Sequence, residues 1–83
     1  MPIVHTSLSA VLERFPELTH KIKRLFKQDR SFQEQCEDYR RCCRALEYWC
    51  RSDTQSAPSR REDYTELLKE LETEILQRLD ESE

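Results

Sequence analysis

Apolar residues recur over the first fifty positions in alternating steps of three and four. One row is Leu8, Phe15, Ile22, Asp29, Cys36, Cys43 and Cys50; the other is Val11, Leu18, Leu25, Phe32, Tyr39 and Leu46. That spacing holds both rows on one helical face. Asp29 is the only charged residue on it, and a carboxylate in a continuous buried seam would be costly. It fits better as an N-cap whose side chain accepts backbone N–H groups of a new helix. Ser31 with Glu34 offers a competing capping-box start. Both readings break the chain near residues 28–31. Pro16 is tolerated in the first turn of a helix and kinks a longer one.

After Trp49 and Cys50 the pattern lapses into RSDTQSAPS, a polar connection, and Ser59 to Glu62 then spells a capping box with Pro58 just outside the helix. Tyr64, Leu67, Leu68, Leu71, Ile75, Leu76 and Leu79 mark one side of a final helix whose other side is mostly charged. The predicted architecture is all-α. An antiparallel hairpin of helices at about 30–51 and 60–80, joined by a polar loop at about 52–59, follows an N-terminal helix at about 7–28, all in one domain over 1–83. Matching the stripes outward from the loop sets Cys50 against Tyr64, Leu46 against Leu68 and Cys43 against Leu71. Tyr39 then meets Ile75, and Phe32 meets Leu79.

Composition supports helices. The chain has no glycine and only three prolines, which argues against tight hairpins and phosphate-cradling loops. Charged residues make up 37%, but the apolar periodicity is more than a disordered chain needs. No apolar run approaches the roughly 20 residues of a membrane span, and the N-terminus has no signal-peptide core. The expected setting is therefore the reducing cytoplasm, away from membranes. A net charge of −3 is too small to imply a polyanionic partner.

All four cysteines fall between positions 36 and 50. Cys36, Cys43 and Cys50 are about 10.5 Å apart per step along one helix, too far for disulfides. No C-x-x-C pair or nearby histidine completes a metal or haem site, since His5 and His20 stand apart. No metal or other cofactor is expected, and these three thiols read as small apolar seam residues. Cys42 lies beside the seam between Arg41 and Arg44. It is the candidate reactive thiol, a redox-switch reading weighed against a partly exposed, idle one.

Lys21, Lys23, Arg24, Lys27 and Arg30 form a candidate basic contact face, read either as a phosphate-tracking helix or as an ordinary solvated face. Tyr48, Trp49 and Phe26 flank the seam, where they widen the core or form a partner-binding patch. No nucleophile–base set appears, so an enzyme is not expected.

The order of landmarks resembles a known family. FPEL at Phe15–Leu18, then Lys21-Ile22, Asp29-x-x-Phe32, Tyr39 and a terminal LLKELETEILQRL are similar to the YdcH-like small bacterial proteins, over about residues 12–80. The resemblance implies a helical hairpin with a break ahead of the phenylalanine. That family has no assigned function, so no catalytic residue carries over, and the cysteines and the Trp49 region lie outside its pattern.

The leading expectation is a small cytoplasmic protein-interaction module. One hairpin buries only one stripe of each helix, so Leu8, Val11, Leu18, Leu25 and Phe26 are expected to form an exposed apolar patch that drives assembly into a dimer or higher even oligomer. The alternative is a nucleic-acid-associated regulator using the basic helix at 21–30. Residues 62–83 carry nine acidic and two basic side chains. Asp80, Glu81 and Glu83 are expected to meet Lys27 and Arg30 of the same chain or of a second copy.

Overall fold

A computed structural model describes the chain from residue 6 to residue 81. His5 and Glu83 lie outside the described residues. The fold is all-α: α1 (Thr6–Arg14), a 3-10 turn (Pro16–Leu18), α2 (Thr19–Gln28), α3 (Arg30–Arg51) and α4 (Ala57–Glu81).

Pro16 breaks the first helix rather than kinking it. Proline disfavours helical geometry in the residue before it, and Phe15 takes φ −127°, ψ 67°. The Phe15 N–H closes α1 on the Val11 carbonyl, and the Leu18 N–H closes the 3-10 turn on the Phe15 carbonyl, both at 3.0 Å. The chain then turns back. Ser7 lies beside Phe26, Arg30 and Glu37, while Glu13 lies beside Arg44 and Glu47, so α1 runs in the same sense as α3 and α2 returns against it.

That reversal corrects the expected apolar patch. Val11 and Leu25 are buried with Phe15, Ile22, Phe32, Cys36, Tyr39, Ile75 and Leu79 in a single core. Leu8, Leu18 and Phe26 are half-buried and packed on it. The N-terminal residues cover the hairpin of their own chain, because the break at Pro16 lets two short helices fold where one long helix would have projected.

Asp29 acts as the N-cap of α3. In extended geometry, it accepts the Phe32 N–H on Oδ1 at 3.2 Å, while its own N–H closes α2 on the Leu25 carbonyl at 2.9 Å. The alternative start at Ser31 is not used. The last helix begins earlier than its capping box suggests: Ala57 is its first residue, Pro58 lies inside the first turn, and the connection shrinks to residues 52–56. Proline suits that turn, since an N–H there has no intrahelical acceptor. The shorter connection changes the register. The Cys42 thiol, not Cys50, meets Tyr64, donating to its carbonyl at 3.4 Å.

Candidate interaction surface

α1 packs on α3, and α2 packs on both α3 and α4, so one side of the hairpin is covered. Another side carries a shallow groove of about 340 Å3. Asp38, Arg41, Cys42 and Ala45 line it from α3; Tyr64, Leu67 and Leu71 line it from α4. On the α3 side the small Cys42 and Ala45 lie beside the exposed Asp38 and Arg41, and on the α4 side Leu67 is 41% exposed. Gln35, at helical spacing from Asp38 and Cys42, has a buried Oε1 without a hydrogen-bond partner. Glu62, Asp63, Glu66 and Glu70 border Leu67 on the outer face of α4.

Tyr48 and Trp49 sit at the loop end. Tyr48 is 63% exposed and Trp49 half-buried, with their rings edge to face at 5.0 Å. The Arg60 guanidinium lies 5.9 Å from the Trp49 ring centroid, and Arg61 donates to the Trp49 carbonyl at 3.4 Å. Aromatic pairs with an arginine over them are favoured at binding surfaces.

The thiols sort differently from the seam reading. Cys36 is fully buried, and burial pushes it up to about 12. Cys42 is also buried, at 4% exposure, and burial followed by the neighbouring Cys43 raises its pKa. Cys42 is thus buried rather than partly exposed, and desolvation disfavours the thiolate that a reactive role needs. Cys43 is half-buried and Cys50 exposed. Cys50 is uncovered because α1 stops near the level of Glu47, one turn short of it.

Lys23, Arg24, Lys27 and Arg30 are exposed, and the three on α2 share one helical face. Among the described residues none of these four forms an ion pair. Lys21 points elsewhere, toward Leu18, Leu76 and Asp80. The expected meeting of Asp80 and Glu81 with Lys27 and Arg30 does not occur within the chain. At that end the ion pair is Arg78 with Asp29, at 2.9 Å. The hydrogen bond from Arg78 leads the effects that lower the Asp29 pKa.

Pattern reading missed a polar network that ties three helices together. Glu72 of α4 accepts Arg14 Nε at 2.8 Å and Nη2 at 3.3 Å, and the Tyr39 hydroxyl at 2.8 Å. Burial alone would raise the Glu72 pKa, but the Arg14 and Tyr39 hydrogen bonds outweigh it and the net shift is downward. Tyr39 moves up, through burial first and the carboxylate second.

Among the described residues no cluster of three or more His, Cys, Asp or Glu side chains is placed to hold a metal ion, and no helix is long and apolar enough to cross a membrane. No family model, curated protein or solved structure matches the chain.

Proposed function

We propose that this chain is a small helical protein-interaction module that associates with itself and presents its aromatic loop end to another protein. One observation carries the reading. The hairpin is covered by α1 and α2 on one side, while elsewhere it leaves an apolar groove walled by Leu67 and an exposed Tyr48–Trp49 pair. Small helical folds have little core of their own, and uncovered apolar helix faces are the usual sites of association. The module acts by binding, without a catalytic step or cofactor. Four cysteines held as thiols suit the reducing cytoplasm. The YdcH-like likeness belongs to this reading, and the helical hairpin and the break ahead of Phe32 support it. Sedimentation equilibrium tests the self-association: a stable monomer at high micromolar concentration would remove it.

A second reading has its own observation. Lys23, Arg24 and Lys27 form an exposed, unpaired basic face that Arg30 extends. A nucleic-acid-associated role predicts duplex binding that weakens steeply with salt and with Lys27→Glu.

A further inference from the structure

Building on the self-association reading, we infer that the face between α2 and α4 is covered by a second copy of this chain, related by a two-fold axis that runs along the groove between those helices.

The groove encloses about 420 Å3. Leu18 and Lys21 line it from the 3-10 turn and α2, Leu76, Gln77 and Asp80 line it from α4, and Leu79, 2% exposed, lies deepest. Leu76 is 41% exposed, a large apolar side chain left in water beside the half-buried Leu18. Because the two banks line one groove, they share a level along it. An axis parallel to the groove preserves that level and exchanges the banks. Leu76 of each copy then lies over Leu18 of the other, and the contact closes without leaving a free end.

The charges that select this axis belong to the groove itself. Lys21 stands on one bank, with Arg24 one turn further along the same flank of α2, and Asp80 stands on the other. Among the described residues none of the three forms an ion pair. Glu17, one turn before Lys21, is a neighbour of the Arg14 guanidinium, and Lys69, two turns from Leu76, lies outside the groove. With the axis along the groove, Lys21 and Arg24 of each copy face Asp80 of the other. With the axis across it, cations would face cations and Asp80 would face Asp80. A face of one sign would call for a foreign partner of the opposite sign. A face with opposite signs on its two banks is complementary to itself.

The experiment is sedimentation equilibrium of the full chain at low salt, with far-UV circular dichroism as the check on folding. Leu76 lies outside the core cluster, so Leu76→Gln should keep the parent's helicity while raising the dimer Kd about 10-fold or more. Lys21→Glu and Asp80→Lys should each weaken the homodimer. An equimolar mixture of those two variants should form a heterodimer near parental affinity, a rescue that a Lys21–Asp80 pair within one chain could not give. A dimer that Leu76→Gln leaves intact, or a mixture that fails to recover, overturns this interface, although self-association itself would stand. A monomeric parent overturns both. A monomeric parent in which an amphipathic helical peptide shifts the amide signals of Lys21 and Leu76 also overturns the proposal, and assigns the face to another protein's helix.

Discussion

Replacing Glu72 by alanine should cost more than replacing Tyr39 by phenylalanine, and the two losses should not add. Tyr39→Phe removes one donor from a carboxylate that keeps both Arg14 contacts. A hydrogen bond to a charged group contributes about 1.5–3 kcal/mol. Glu72 retains 16% side-chain exposure, which favours the lower end, about 1.5 kcal/mol. In a domain of this size each kcal/mol moves Tm by about 4–8 °C, so Tyr39→Phe should lower it by about 6–12 °C. Glu72→Ala acts differently. It strands the hydroxyl of a tyrosine that is 3% exposed, beside the Cys43 thiol and an Arg14 guanidinium that has lost its own carboxylate. A thiol is a weak partner, and an orphaned buried hydroxyl costs about 1–3 kcal/mol on top of the bonds lost.

Once Glu72 is gone, phenylalanine at position 39 removes that orphan. The double variant should therefore match or exceed the stability of Glu72→Ala alone. The assay is urea unfolding of all four species, followed by circular dichroism at one protein concentration and neutral pH, and analysed as a double-mutant cycle. The reasoning fails if Tyr39→Phe costs the same with and without Glu72, because the hydroxyl and the carboxylate would then not be partners.

Phe32→Ala, which empties a fully buried site, should cost about 3–5 kcal/mol and approach complete unfolding, as read by the urea midpoint. Asp29→Asn keeps a capping oxygen but loses the charge that meets Arg78, while Asp29→Ala loses both, so Tm should fall in the order parent, Asn, Ala. Glu72 and Asp29 both have lowered pKa values. Their contributions should be complete above the ordinary carboxylate range near about 4 and lost as pH falls through their depressed values, and Glu72→Gln should flatten that acid limb. At the other end the folded Cys36 keeps its proton up to about 12, whereas an unfolded thiol releases it above about 8.5. Stability should decline across that window, with Tyr39 adding to the fall, and Cys36→Ala should reduce the slope. Thiol titration of the native protein should modify Cys50 first and Cys43 more slowly, with Cys36 and Cys42 reacting only on unfolding.

The fold class, the hairpin and the cap at Asp29 were legible because each rests on local chemistry: a repeat that matches the helix period, and a carboxylate that a seam would reject. The start of α4 misled because Ser59–Glu62 is a good capping box, yet a proline at position 58 is equally content inside a first turn. The fate of Val11 and Leu25 was a tertiary matter. A seam says which face is buried, not whether its own chain or another covers it, and here the reversal after Phe15 decided in favour of its own. The α4 stripe groups Leu67 and Leu76 with the residues that are buried, yet both are exposed, because at helical spacing they stand at the two edges of that stripe. The Arg14–Glu72–Tyr39 network spans 58 positions between its ends, and no spacing rule reaches that far.

Asp29 is the only residue between α2 and α3, and the same side chain is held by α4 through Arg78. Such a joint contains no slack. Inserting one residue there would force the chain to give up either the Asp29 contacts to the Leu25 carbonyl, the Phe32 N–H and Arg78, or the packing of α2 or of the Phe32–Cys36–Tyr39 stripe on the core. The connection at residues 52–56 has extended and turn backbone to absorb the same insertion. Length changes in this chain should therefore be tolerated at the loop and fatal at the joint, so that a deletion–insertion scan would locate Asp29 without any knowledge of the structure.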